Sequence, residues 1–188
     1  MKRIVCIGDS NTYGYDPRSF FGGRYPKNVR WTGLLCAAGY DVSNFGENGM
    51  CVPRAELAGN LLAAVSKEQP DIITVMLGSN DILNGQSASS TAQRMDAFLD
   101  ALGSAVTDAR IVLISPPAMK IGEWVSDPDM IKERTRLAQE YRSLSARRNI
   151  AYADSAAWDT EVGYDGVHLT ENGHRAFARG IRSVLENI

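Results

Sequence analysis

The sequence predicts an α/β fold: a three-layer sandwich in which a parallel sheet of about five strands lies between helices on both faces. Three observations predict it. Short apolar runs alternate from end to end with longer stretches that repeat every 3.6 residues. The run Ile72 to Leu77 is continuously apolar, as expected of a strand covered on both sides. The apolar runs stop abruptly in clusters of Gly, Asp, Asn, Ser or Pro. A chain of 188 residues fits one domain, residues 1–188, and its 44% of hydrophobic residues can fill a core.

The elements follow in order. The first strand covers about Arg3 to Ile7, and a loop from Gly8 to Lys27 is rich in Gly, Pro and aromatic residues. The first helix runs from about Asn28 to Ala38, with Trp31, Leu34, Leu35 and Ala38 at helical spacing and Gly39 as a stop signal. A second strand, about Asp41 to Phe45, ends at Gly46-Glu47-Asn48-Gly49. The second helix begins after Pro53 and reaches about Lys67, with Leu57, Leu61 and Val65 as one stripe. The third strand, Ile72 to Leu77, ends in Gly78-Ser79-Asn80-Asp81. The third helix spans about Thr91 to Val106, with Met95, Phe98, Leu99, Leu102 and Val106 inward. The fourth strand, Ile111 to Ile114, is closed by Ser115-Pro116-Pro117, and a helix from Pro128 to Arg148 follows. A short fifth strand covers about Ile150 to Ala153, and a loop runs from Asp154 to Leu169. Thr170 caps the last helix, whose apolar side carries Phe177, Ile181, Val184, Leu185 and Ile188. A flavodoxin-like strand order, 2-1-3-4-5, would set strands one and three side by side with a switch point between their carboxyl ends.

Composition excludes several classes. With 20 basic and 22 acidic residues the net charge is −2, which leaves no electrostatic footprint for nucleic acid. No apolar stretch approaches the roughly 18 residues needed to span a bilayer. Met1-Lys2-Arg3 is followed by an apolar run too short for a signal peptide, so a cytoplasmic location is expected, with no membrane partner. Cys6, Cys36 and Cys51 show no ligand spacing; Cys6 and Cys36 fall on predicted buried faces. Only two histidines exist, so no metal site and no cofactor are expected. No Gly-x-Gly-x-x-Gly follows the first strand, and no Gly-Lys-Ser/Thr or Gly-x-Ser-x-Gly occurs.

The chemistry is concentrated at the strand ends. Ile4 to Ile7 leads straight into Gly8-Asp9-Ser10, which puts a hydroxyl at the sheet edge where ligands bind in open α/β sheets. Ser10 is therefore a candidate nucleophile, against the plain alternative of a turn or helix-cap serine. The base must be His168 or His174. In Asp165-Gly166-Val167-His168 a carboxylate three residues ahead of the imidazole can fix its tautomer and leave Nε2 free. His174, on the first turns of the last helix, reads as a packing or surface residue. Oxyanion donors are available in the Ser10 N–H, in Gly49 after the second strand, and in the Asn80 amide after the third. Tyr13, Tyr15, Phe20, Phe21, Met119, Ile121 and Trp124 fall on loops of the same edge, as a pocket rim or a subunit interface. Of these, Tyr13, Met119 and Trp124 are the candidate substrate-binding residues.

The four blocks Gly8-Asp9-Ser10, Gly46-Glu47-Asn48-Gly49, Gly78-Ser79-Asn80-Asp81 and Asp165-Gly166-Val167-His168 resemble those of the SGNH hydrolases, also called GDSL esterases and lipases. They arrive in that family's order and span nearly the whole chain. The resemblance implies a Ser10, Asp165, His168 triad with Ser10, Gly49 and Asn80 as the oxyanion hole. Trp31-Thr32-Gly33-Leu34-Leu35, Val75 to Asp81 and Ser115-Pro116-Pro117 are similar to the arylesterase and acyltransferase branch. Some members of that branch form large homo-oligomers. Two departures stand out: Asn11 replaces the motif's leucine, and the segment between Gly49 and the third strand is short. The expectation is a serine esterase acting on short-chain acetyl or aryl esters, as a possible homo-oligomer. The alternatives are an acyltransferase or perhydrolase using the same triad, or a flavodoxin-like module that binds a small anion or nucleotide without catalysis.

Overall fold

The computed structural model describes residues 1–19 and 21–188; Phe20, one of the aromatics expected at the catalytic edge, lies outside the described residues. Five parallel strands form one sheet: β1 (Arg3–Gly8), β2 (Asp41–Gly46), β3 (Ile72–Met76), β4 (Arg110–Ser115) and β5 (Ala151–Asp154). Their order is β2-β1-β3-β4-β5, the flavodoxin-like order read from the sequence. The helices are α1 (Ser10–Tyr13), α2 (Trp31–Ala37), α3 (Gly59–Lys67), α4 (Ser79–Leu83), α5 (Ala88–Ala105), α6 (Pro128–Arg148) and α7 (Glu171–Glu186).

Alternate residues of each strand face opposite layers. Val5, Ile7, Ile73, Val75 and Leu113 pack with Leu62 and Val65 of α3, Met95, Phe98 and Leu102 of α5, and Leu137, Tyr141 and Leu144 of α6. Ile4, Cys6, Ile72, Met76, Val112 and Ile114 pack with Trp31 and Leu35 of α2 and Phe177, Ile181 and Leu185 of α7. The Trp31 and Phe177 rings meet at 4.7 Å between centroids. Each such apolar side chain contributes about 1.5–3 kcal/mol on burial, and the two layers hold the sheet from both sides.

Several boundaries differ from the sequence expectation. The loop after β1 contains α1, which Asp9 caps by accepting from the Asn11 N–H and Gly14 ends at φ 92°. The first long helix starts at Trp31 rather than Asn28, because Val29 and Arg30 N–H groups turn back onto the Pro26 carbonyl. The helix expected after Pro53 is two pieces, a 3₁₀ turn at Ala55–Leu57 and then α3. The break shifts the phase, so Leu57 is 76% exposed while Leu62 and Val65 are buried. Helix α5 begins earlier than expected, with Ser87 accepting from the Ser90 N–H. Helices α6 and α7 keep their expected starts at Pro128 and after Thr170; the structure adds Asp127 as the cap of α6 and forms the expected Thr170 cap bond. Cys6 is buried as expected, but Cys36 is only partly so. Among the described residues no helix is long and apolar enough to cross a membrane.

Candidate active site

Strand register sets the site. Gly8 at the end of β1 lies between Gly46 of β2 and Met76 of β3, so the segments after these three strands emerge at one level. The chain turns from β1 to β2 on one side and to β3 on the other, which opens the switch-point crevice above β1. Ser10 begins α1 there and is 5% exposed.

The residues expected to activate Ser10 meet it. His168 Nε2 lies 2.8 Å from Ser10 Oγ, across 158 residues of chain. His168 Nδ1 lies 2.7 Å from Asp165 Oδ2. The other oxygen, Asp165 Oδ1, accepts from the Val167 N–H at 2.9 Å and the His168 N–H at 3.0 Å. Burial pushes the Asp165 carboxyl up, but the hydrogen bonds from the imidazole and from those two N–H groups outweigh it and hold it below the ordinary carboxylate value. An ionised carboxylate on Nδ1 places the proton there and leaves Nε2 to accept from the serine.

A second loop braces the base. Lys120 N–H donates to the Gly166 carbonyl at 3.1 Å, and Trp124 N–H to the Asp165 carbonyl at 3.0 Å. The approach is close enough that a Cβ at Gly166 (φ 86°) would strike the Lys120 carbonyl, and one at Gly122 the backbone of Asp165. This contact sets the Trp124 ring edge-on to the imidazole, 4.8 Å between centroids. Tyr15 packs on an adjacent side, 4.5 Å from the imidazole and 6.4 Å from the Trp124 ring.

The oxyanion candidates sit at the neighbouring strand ends. Gly49 occupies the turn after β2, where the Met50 N–H donates to the Glu47 carbonyl and Gly49 takes φ 76°. Asn80 on α4 donates from Nδ2 to the Met50 carbonyl at 3.0 Å. The adjacent Asp81 accepts from the Val52 N–H at 2.9 Å and pairs with Arg94 at 2.8 Å. Two consecutive α4 side chains thus fasten the segment that follows Gly49. Among the described residues, neither the Ser10 nor the Gly49 N–H donates within the chain.

The substrate-binding candidates divide. Trp124 stands beside His168 and is 46% exposed. Met119, expected on the rim, is instead buried in the core beside Val125 and Val167. Tyr13 is half-buried, with the Arg24 guanidinium 4.2 Å over its ring. Phe21 and Ile121 are exposed. Tyr15, left outside the substrate trio, is the residue packed on the base; its place in the aromatic group was the only signal. His174 lies in the core with Nδ1 accepting from the Trp31 N–H at 3.4 Å and Tyr25 edge-on at 5.3 Å. Burial and the nearby Arg30 charge push its pKa down to about 3. Among the described residues no group of three His, Cys, Asp or Glu side chains is placed to hold a metal ion.

Comparison with known proteins agrees with this geometry. A family profile described as the GDSL-like Lipase/Acylhydrolase family matches residues 6–176. No curated protein matches the chain. A solved structure assigned as an arylesterase from Agrobacterium tumefaciens superposes with a TM-score of 0.86 at 27% identity, over 100% of both chains. The native aryl esterase of M. smegmatis gives 0.84 at 23% identity, covering 100% of this chain and 99% of its own. A carbohydrate acetylesterase family member from Sinorhizobium meliloti gives 0.84 at 24% identity, with coverage of 100% and 98%. The last two likenesses bear on the fold. The strand-end blocks, the profile match and the shared architecture converge: the chain belongs to the GDSL-like lipase/acylhydrolase family and is a carboxylic-ester hydrolase.

Proposed function

We propose that residues 1–188 form one catalytic domain that cleaves short-chain acetyl or aryl esters through a covalent acyl-enzyme. The observation that carries this reading is the unbroken line Ser10 Oγ, His168, Asp165, at 2.8 and 2.7 Å. His168 Nε2 takes the serine proton as Oγ attacks the ester carbonyl. Asp165 stabilises the imidazolium so formed. The Ser10 and Gly49 N–H groups and the Asn80 amide receive the oxyanion. The imidazolium then protonates the departing alcohol, and water repeats the sequence on the acyl-serine.

Trp124 and Tyr15 wall the base and bound the leaving-group side. The similar structures named for aryl esters and carbohydrate acetates support small acyl groups. Intact-mass measurement after fluorophosphonate treatment tests the nucleophile. One adduct is expected on the wild type and none on Ser10→Ala; labelling of Ser10→Ala would overturn the assignment. A p-nitrophenyl ester series tests acyl size. Activity is expected to fall from two to twelve acyl carbons, and a rise would reject the short-chain reading. Running the assay with added alcohol or peroxide separates hydrolysis from acyl transfer by the products formed.

A further inference from the structure

The loop that carries His168 is held from an unexpected place. Asn11, one residue after the nucleophile, is 2% exposed and turns its side chain onto the backbone on both sides of the base. Its Nδ2 donates to the Val167 carbonyl at 3.2 Å. Its Oδ1 accepts from the Leu169 N–H at 2.8 Å. Those partners flank His168. The orientation is fixed by chemistry, since turning the amide over would set N–H against N–H and oxygen against oxygen.

The rest of Asn11 is equally committed. Its N–H donates to Asp9 Oδ1 at 2.9 Å, and its carbonyl accepts from Trp31 Nε1 at 3.0 Å. Asn11 is therefore anchored to Asp9 before Ser10 and to Trp31 at the start of α2. The Val167 carbonyl and the Leu169 N–H have no other hydrogen-bond partner among the described residues. A leucine here, as in the family's motif, would leave both without one.

We propose that Asn11 is a positioning residue: by gripping the backbone before and after His168 it fixes the imidazole against the Ser10 hydroxyl. Asp165 orients the ring about its own axis, and Trp124 and Tyr15 bound it sideways. Of these only Tyr15 also reaches the helix that carries the nucleophile, by a ring contact with the imidazole and its N–H on the Ser10 carbonyl at 2.9 Å; Asn11 ties that helix to the base loop by hydrogen bonds to the backbone on both sides of His168. The inference rests on the esterase reading for its kinetic test only.

The test compares Asn11→Ala and Asn11→Leu with wild type, and adds Asn11→Asp, which keeps an acceptor for Leu169 but sets an oxygen against the Val167 carbonyl. Misplacing a catalytic group by about 1 Å can cost about a hundred-fold in rate. The expected result is a fall of about ten- to a hundred-fold in kcat on p-nitrophenyl acetate with KM little changed, and an equal slowing of fluorophosphonate labelling. Asn11→Asp should fall at least as far as Asn11→Ala, because its second oxygen meets the Val167 carbonyl. Variants that lose thermal stability but keep kcat and labelling within twofold would reduce Asn11 to a structural residue and overturn the proposal. Two readings need no turnover. In wild type the Leu169 amide is expected to exchange slowly with deuterium, and fast exchange would refute the grip even if no variant folds. In Asn11→Ala the downfield Nδ1 proton of His168, identified by its absence in His168→Gln, is expected to broaden or shift. An unchanged resonance would also refute it. If wild type neither turns over ester nor labels at Ser10, the esterase reading fails, and these two measurements still decide the grip.

Discussion

Replacing Asp165 by asparagine probes the electrostatics of the proposed mechanism with little change of shape. In wild type the carboxylate lies 2.7 Å from Nδ1, and the Asp165 and His168 side chains are only 3% and 2% exposed. When His168 takes the serine proton, a positive charge appears about 4 Å from the centre of the carboxylate charge. At an effective dielectric near 20 that pair is worth about 4 kcal/mol, or about a thousand-fold in rate. The amide nitrogen that then faces Nδ1 donates instead of accepting and so favours the wrong tautomer, which carries the expected loss toward about ten-thousand-fold. The backbone bonds from Val167 and His168 to Oδ1 can persist in asparagine, so the fold should survive. The assay is kcat for p-nitrophenyl acetate at pH 7.5, with circular dichroism to confirm the fold. A folded Asp165→Asn enzyme within tenfold of wild type would refute the assignment of Asp165 as partner of the base.

Asn80→Ala removes one oxyanion donor and should lower kcat about a hundred-fold or more, a barrier increase of about 3–4 kcal/mol; near-full activity would exclude the role. Buried His174 makes stability pH-dependent. Its pKa is about 3 in the folded chain against an ordinary 6.5, so below pH 6.5 the unfolded chain binds a proton that the folded one refuses. Stability should therefore fall as pH drops through that window, by about 2 kcal/mol between pH 6.5 and 4.5. Urea unfolding of His174→Asn should show a shallower pH slope than wild type, and equal slopes would remove His174 from the acid response. Burial pushes the Cys6 thiol up to about 12. Ellman's reagent should therefore label Cys36 and Cys51 in the native protein and reach Cys6 only after denaturation.

What the sequence made legible, and what it did not, follows from where each signal resides. Helix α7 announces itself because Thr170 is a local cap signal whose bond forms within a few residues, and α6 because Pro128 suits a first helical position. Helices α1 and α4 span four and five residues, too few for a period to show. Leu57 went astray for a related reason: a stripe assumes one continuous helix, and the break before Gly59 rotates the phase. The triad was readable because its members sit in compact blocks whose residue types state their chemistry. The Asn11 grip was not, because its partners are backbone atoms of a loop more than 150 residues away, and backbone carries no sequence signature. Met119 shows the same limit from the other side. A large apolar residue on a loop reads as rim, while burial depends on what folds over it.

The separation of 158 residues between nucleophile and base has a biosynthetic meaning. On the proposed mechanism, a nascent polypeptide emerging from the ribosome carries Ser10 early, yet its hydroxyl stays inert until the His168 loop arrives and docks. Ester-cleaving power would then switch on late, once both halves of the site have been made. Products truncated before Asp165 and His168 should be catalytically silent, and turnover becomes a reporter of chains in which both segments are present and docked.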